Sequence, residues 1–117
     1  MSPPPKVLTK EKEAYVLWLP IHRDFPRVER LGIGQKIEQS FLDVLELTFA
    51  SIYLVSEQKI LMLSRTIAKL DNLKFFMQLG WESKLIPMEK YTTISKELDE
   101  IGRMLGGWRK GLQEKLK

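Results

Sequence analysis

The sequence predicts an all-α protein, an up-and-down antiparallel four-helix bundle. Apolar residues recur at intervals of three and four residues through most of the chain, no segment of useful length alternates like a strand, and the breaks between helical segments are short. The chain has 117 residues, 44% of them hydrophobic, which suits one domain with a core of its own. We therefore expect a bundle domain over residues 9–117, preceded by a disordered proline-rich tail over residues 1–8.

The first two helices are separated by a proline and two glycines. Thr9 is expected to cap the first helix, and the residues from Asp24 to Pro26 to end it, because the residue before a proline avoids helical backbone. Residues 27–34 are interpreted as a basic, glycine-containing connection. The second helix is predicted from Gln35 to about Ser56. Its apolar residues follow helical spacing at Ile37, Phe41, Val44, Leu45, Phe49 and Ile52.

The third helix, predicted from about Gln58 to Leu79 and ended by Gly80, carries apolar residues on two sides. One stripe comprises Ile60, Leu63, Ile67, Leu70 and Met77. The other, roughly opposite, comprises Leu61, Ala68, Phe75 and Leu79. A helix that is apolar on two sides is buried more than once, either centrally in its own bundle or against another chain.

The fourth helix follows a loop over residues 81–87 and begins at about Met88. Its apolar seam alternates by three and four residues at Tyr91, Ile94, Leu98, Ile101, Leu105, Trp108 and Leu112. Four glycines interrupt this pattern at Gly102, Gly106, Gly107 and Gly111. Either the helix ends near Gly106, or the small residues allow another backbone to approach closely; the unbroken seam favours close packing. Trp108 is interpreted as a core or interface side chain, and not as a ligand platform.

Composition excludes several kinds of chemistry. The chain has no cysteine, which rules out disulfides, thiolate metal sites, iron–sulfur clusters and cysteine nucleophiles. Its single histidine, His22, is interpreted as a partly exposed helix residue. No glycine-rich phosphate loop or paired acid and base is found, so we expect no enzyme and no cofactor. The longest apolar run is too short to span a membrane and the N-terminus has no signal region, so we expect a cytoplasmic protein without a membrane partner.

Positive charge is concentrated in two segments. The formal charge of the whole chain is +4, whereas residues 58–80 alone carry +3 and residues 102–117 carry +4. On the fourth helix a basic row recurs every seven residues, at Lys96, Arg103, Lys110 and Lys117. Arg65 and Lys69 form a second basic pair on the third helix. The rows are consistent with an ordinary solvated face or with a phosphate-binding surface; without exposed aromatic residues among them, binding would be salt-sensitive and weakly sequence-specific.

The C-terminal residues Leu98 to Trp108, LDEIGRMLGGW, resemble the ending of the accessory variability determinant (Avd) proteins of diversity-generating retroelements. Supporting matches are LPI at 19–21, FPR at 25–27 and LDVLEL at 42–47. The resemblance covers roughly residues 13–110, and its most specific part is the Gly-Trp ending. It extends more loosely to the four-helix-bundle proteins encoded in 23S ribosomal RNA intervening sequences.

The resemblance implies a fold and a function. Avd-like proteins are four-helix bundles that assemble as a basic homopentameric barrel, bind RNA or DNA, and associate with the retroelement reverse transcriptase during mutagenic retrohoming. The family has no catalytic residues of its own. Arg103 lies in the matching motif, and Lys110 lies in the basic C-terminal segment that follows it. Arg109, at the start of that segment, is a further predicted nucleic-acid-binding residue. The alternative function is that of an oligomeric scaffold, related to the intervening-sequence proteins, that acts through protein contacts only.

Overall fold

The computed structural model describes residues 5–117, and within that range it contains helices and no strand. Five helices are present: α1 (Lys6–Arg23), α2 (Arg27–Leu31), α3 (Ile33–Ser51), α4 (Ser56–Glu82) and α5 (Met88–Lys115). The four long helices form a bundle in which α1 and α4 each pack against both α3 and α5. The prediction of an all-helical four-helix bundle is therefore confirmed.

Successive long helices run in opposite directions. Between neighbouring helices, residues of increasing number on one helix contact residues of decreasing number on the other. The contacts that show this are Asp43–Lys69 and Lys36–Phe76 between α3 and α4, and Lys59–Trp108 and Lys74–Asp99 between α4 and α5. One end of the bundle thus holds the beginnings of α1 and α4 and the end of α5, and the opposite end holds α2.

The core is built from one apolar face of each long helix. Side chains that are almost fully buried are spread over all four of them, and burial of this kind is the main favourable term in folding. They include Trp18, Phe41, Leu63, Leu70, Met77, Leu98 and Leu105. The seam predicted on the last helix is confirmed, since its central positions are buried.

The first helix begins earlier than predicted. It starts at Lys6, after Pro5, and Thr9 is not its cap. Val7 and Leu8 are buried, so their packing extends the helix into the segment predicted as tail. The prediction was wrong for this part of residues 1–8 because three prolines in sequence hid the apolar pair that follows them. The predicted disorder of residues 1–4 lies outside the described residues.

The connection between the first two long helices also differs from the prediction. Residues 27–31 form the short helix α2, and α3 begins at Ile33, so the connection predicted over residues 27–34 is mostly helical. The backbone changes direction at Gly32, whereas Gly34 lies inside α3 and is buried. The helix predicted to reach Ser56 ends at Ser51 instead, and residues 52–55 form the turn into α4.

Gly80 does not end the helix that was predicted as the third and is α4 in the structure. α4 continues to Glu82, and Gly80 is buried inside it against Ile86. A Cβ on Gly80 would lie 2.9 Å from Ile86 Cδ1, so the glycine provides space for the loop that follows. The sequence predicted that Gly80 ends the helix. In the structure, its lack of a side chain instead makes room for Ile86.

Candidate nucleic-acid interface

The predicted basic row on α5 is exposed along its length, but its cations differ in their surroundings. Arg103 hydrogen bonds to Glu100, one turn earlier on the same helix. Lys96 lines a surface depression with two further cations, Lys10 and Arg103, and with three carboxylates, Glu97, Asp99 and Glu100. Acidic neighbours therefore offset the positive charge of the first half of the row.

The second half of the row has fewer acidic neighbours. Lys110 and Lys117 are exposed and make no ion pair with any described residue. Arg109 is half-buried, and its Nη1 donates a hydrogen bond to Ser64 Oγ of α4 at 3.2 Å. The cations available to an anionic ligand are thus concentrated toward the end of α5.

The two residues of the basic pair predicted on the third long helix, which is α4, differ in their surroundings. Lys69 Nζ is 3.6 Å from Asp43 Oδ2, on the side of α4 that faces α3. Arg65 is exposed and lines the same surface depression as Ser64, the hydrogen-bond partner of Arg109. A single chain therefore separates Lys69, but not Arg65, from the end of α5.

Two cations that the sequence predictions missed complete this region. Lys6 and Trp108 line the same surface pocket, and Lys59 Nζ lies 5.8 Å from the centroid of the Trp108 ring. Neither lysine belongs to a row that repeats every seven residues, so the spacing of charges in the sequence does not identify them. They come together with Trp108 only because the ends of three helices lie side by side. We name this region the basic end, and it comprises Lys6, Lys59, Arg109, Lys110, Lys115 and Lys117.

The glycines of α5 do not interrupt the helix, which continues to Lys115; the alternative that it ends near Gly106 is wrong. Close packing within the chain is found at Gly102, where a Cβ would lie 3.4 Å from Leu70 Cδ2. A Cβ on any of the three later glycines, Gly106, Gly107 and Gly111, would meet nothing within 4 Å. The part of α5 around Trp108 is therefore open on its outside.

The second apolar stripe of α4 is not covered by the chain itself. Leu61 is 69% exposed and Phe75 is 61% exposed, and Ala68 and Leu79 are exposed as well. We name these four residues the outer α4 face. Of the two alternatives for a doubly apolar helix, central burial in its own bundle is thus wrong.

Exposed aromatic side chains also lie on α3 and in the turn that follows it. Phe49 and Tyr53 are both exposed and pack edge to face, with ring centroids 5.6 Å apart. The turn after α3 lies at the same end of the bundle as the beginning of α4. Neither residue belongs to the predicted basic rows, which lie on α4 and α5.

A polar cluster joins α1 to α3 near the opposite end. The carboxylate of Glu38 accepts hydrogen bonds from the Tyr15 hydroxyl and from Trp18 Nε1, the latter at 2.9 Å. This bond to a carboxylate raises the pKa of Tyr15 to about 12. His22 Nε2 donates to the carbonyl of Arg30 at 3.3 Å and thereby ties α2 to α1. The cluster stabilises the fold, and His22 is half-buried in it, as expected for a helix histidine.

A second carboxyl group between α1 and α3 has far fewer partners. Glu11 is 2% exposed; its Oε2 accepts a hydrogen bond from Thr48 Oγ1 at 2.7 Å, and its Oε1 has no partner among the described residues. Burial raises the pKa of Glu11 to about 8, and the Thr48 bond partly opposes that shift. Glu11 is therefore largely protonated at neutral pH.

Within residues 5–117, no three acidic or histidine side chains are close enough to hold a metal ion. In the same range, no helix is long and apolar enough to cross a membrane.

The fold and this surface define a class: a small antiparallel helical bundle with a basic end, an exposed apolar helix face, and a polar cluster that serves the fold. The family model described as bAvd-like matches residues 7–112, nearly the whole domain. The chain therefore belongs to the bAvd-like family, which confirms the predicted resemblance. A search of curated proteins finds no match.

Proposed function

We propose that this chain is a non-enzymatic accessory protein that binds nucleic acid and associates with a retroelement reverse transcriptase and its template RNA, in support of mutagenic retrohoming. The observation that carries the proposal is the basic end, in a chain that belongs to the bAvd-like family. Cations from the beginning of α1, the beginning of α4 and the end of α5 meet there. A phosphate backbone is the polyanion that such a cluster suits, and the cytoplasm is where its partners would be found.

The basic end is better suited to phosphate than the first half of the α5 row. Arg103 and Lys96 have carboxylates beside them, so a phosphate would have to compete with those groups. Lys110 makes no ion pair with any described residue, although Glu114 lies one turn later on the helix, and it points away from the seam. We therefore assign the first contacts to Arg109 and Lys110. Lys96, Arg103, Arg65 and Lys69 are secondary sites in this proposal.

Assembly as a homopentamer is the second part of the proposal. The outer α4 face leaves large apolar side chains in water, and exposed apolar patches of this kind mark protein contacts. A contact between the outer α4 face and a different face of a second copy would be head-to-tail. Head-to-tail contacts generate rings when the rotation closes. Five copies at +4 each would carry +20, a field that attracts nucleic acid.

A salt titration tests the nucleic-acid part. Lys110→Glu combined with Lys115→Glu should lower affinity for a structured RNA at least tenfold at about 100 mM salt, because each lost phosphate contact removes about 0.9 from the slope of log affinity against log salt. The matched control is Lys84→Glu with Lys90→Glu, which makes the same charge change far from the basic end. Equal losses in the two variants would contradict the assigned surface. Absence of binding by the unmodified chain at low salt would contradict the function.

The alternative function is an oligomeric scaffold that acts through protein contacts only, and the outer α4 face is the observation that favours it. Native mass spectrometry addresses the assembly that both functions share. A closed ring that dissociates after Leu61→Glu would support the pentamer and its proposed contact face. A ring without RNA affinity at physiological salt would favour the scaffold, and a persistent monomer would overturn the pentamer in both.

A further inference from the structure

A small surface pocket lies where the beginning of α1 meets the end of α5. It is lined by Pro5, Lys6, Val7, Met104 and Trp108 and has a volume of about 280 Å³. Apart from the lysine, every lining side chain is apolar. That volume is at the lower limit of small-molecule sites, so it suits one flat ring system and not a large ligand.

Two cations lie at the pocket. Lys6 lines it, and Lys59 Nζ lies 5.8 Å from the centroid of the Trp108 ring. No carboxylate is found among the described residues that line the pocket. An occupant with an apolar flat part and an attached anion therefore complements the pocket in both shape and charge.

The glycines beside Trp108 keep the approach open. Gly107 precedes the tryptophan and Gly111 lies about one helical turn after it, and a Cβ on either would meet nothing within 4 Å. Trp108 is half-buried: part of the indole packs against the core and part remains exposed.

We propose that this pocket holds one nucleobase of a single-stranded nucleic acid, stacked against Trp108, with the adjoining phosphates held by Lys6 and Lys59. The inference rests on the proposed nucleic-acid-binding function and adds the form of nucleic acid to it. A base inside a duplex is stacked between its neighbours and cannot enter a pocket of this size. Stacking on an aromatic side chain is tolerant of sequence, because every base has a flat apolar face.

The test compares a fluorescently labelled ten-nucleotide single strand with a hairpin duplex, both titrated with the full chain at fixed salt. Trp108→Leu keeps an apolar side chain but removes the stacking surface, so affinity for the single strand should fall about tenfold, within the range for one stacked base. Affinity for the duplex should change by less than about twofold. Trp108→Phe should retain most of the single-strand affinity, which a purely structural loss would not predict.

Trp81→Leu is the matched control, because Trp81 is also half-buried and stacks on Tyr91 at a distance of 4.9 Å, away from the basic end. A second readout follows tryptophan fluorescence directly. Trp18 is fully buried, so in a Trp81→Phe background quenching by the single strand should come from Trp108. Quenching should persist in that background and be lost when Trp108→Phe is added. Circular dichroism at the assay temperature establishes that each variant is folded.

The outcomes separate this inference from the proposed function. Duplex and single strand bound equally well, with no effect of Trp108→Leu, would overturn the base pocket and leave the proposed function standing. A variant that loses duplex and single-strand affinity together would also overturn the pocket, since it would show a general structural role. If neither nucleic acid binds at low salt, both proposals fail, and the pocket would then be free for an apolar side chain of a partner protein.

Discussion

The two ends of the bundle use glycine in opposite ways. Near α2, the position of Gly34 is filled by its surroundings, because a Cβ there would lie 2.8 Å from two atoms of the His22 ring. At the basic end, a Cβ on Gly107 or Gly111 would meet nothing within 4 Å. The same residue type thus gives close packing at one end and an open surface at the other. Packing explains the first pattern, whereas no contact among the described residues explains the second, although each helical glycine costs about 1 kcal/mol relative to alanine.

The two carboxyl groups between α1 and α3 also differ between the ends of the bundle, in how many hydrogen-bond partners they have. Glu38 accepts two hydrogen bonds, from Tyr15 and Trp18, and lies 3.7 Å from His22 Nδ1. Glu11, closer to the basic end, has one bond and one unpartnered oxygen. Near α2, the carboxylate is hydrogen-bonded and the space beside Gly34 is filled. Toward the basic end, one carboxyl oxygen has no partner among the described residues and the space beside Gly107 and Gly111 is open. Local departures of this kind are typical of functional regions.

The largest expected effect comes from the pH dependence that Glu11 introduces. Its pKa is about 8 in the folded chain, against 4.5 for the ordinary group, so the unfolded chain releases the proton first as the pH rises. The contribution of Glu11 to the free energy of unfolding is fully present below pH 4.5 and is lost as the pH rises toward 8. The loss reaches up to about 5 kcal/mol, since each pKa unit corresponds to about 1.4 kcal/mol. Urea unfolding measured from pH 5 to 8.5 checks this.

Glu11→Gln isolates this contribution. The variant keeps the shape of the protonated carboxyl, so its stability should be within about 1 kcal/mol of that of the unmodified chain at pH 5 and exceed it increasingly toward pH 8. Glu13→Gln is the control, because Glu13 is exposed on the same helix. Parallel stability curves for the unmodified chain and Glu11→Gln would mean that Glu11 is hydrated or paired in solution, and the contrast with Glu38 would weaken.

Gly34→Ala should have the next largest effect and tests the packed end. The new methyl group would overlap the His22 ring and lie 3.1 Å from the carbonyl oxygen of Glu29, so backbone or ring must move. Overpacking of this kind costs about 1 to 3 kcal/mol, measured as a loss in the free energy of unfolding. Adding His22→Ala should make the two losses less than additive, because it removes the atoms that clash. Strict additivity would place the strain elsewhere.

Gly107→Ala should have the smallest effect, and in the opposite direction. With open space at the Cβ position and helical backbone, alanine should stabilise the chain by about 0.5 to 1 kcal/mol. Gly102→Ala is the comparison, because its Cβ would contact Leu70 and the gain should be smaller. Thermal unfolding measures both. A destabilised Gly107→Ala chain in dilute solution would show that something, such as a second copy, already covers this surface.

Much of the fold follows from the spacing of apolar residues. The seam of α5 and the inner stripe of α4 were predictable, because a helix must turn one apolar face toward its neighbours. The errors lie where one residue type serves two purposes. Gly80 can end a helix or admit Ile86, and only the position of the following loop decides between them.

The candidate site was less predictable. Periodicity selected Lys96 and Arg103, whose charge is offset by carboxylates, and it could not select Lys6 or Lys59, which reach Trp108 from other helices. A heptad pattern describes one helix, whereas the candidate surface combines three helix ends. For the same reason Lys69 matches in sequence the charge of the α5 row but lies on the side of α4 that faces α3.

The sequence by itself determined the helical class, the apolar seams, the basic excess toward the C-terminus and the family, because these depend on residue types and their spacing along the chain. The tertiary structure decided which glycines are filled and which are open, which carboxyl group is left unpartnered, and which lysines surround Trp108. Each of these depends on the distance between residues far apart in sequence. Burial, hydrogen bonding and charge act through those distances, and they exist only after the helices have packed.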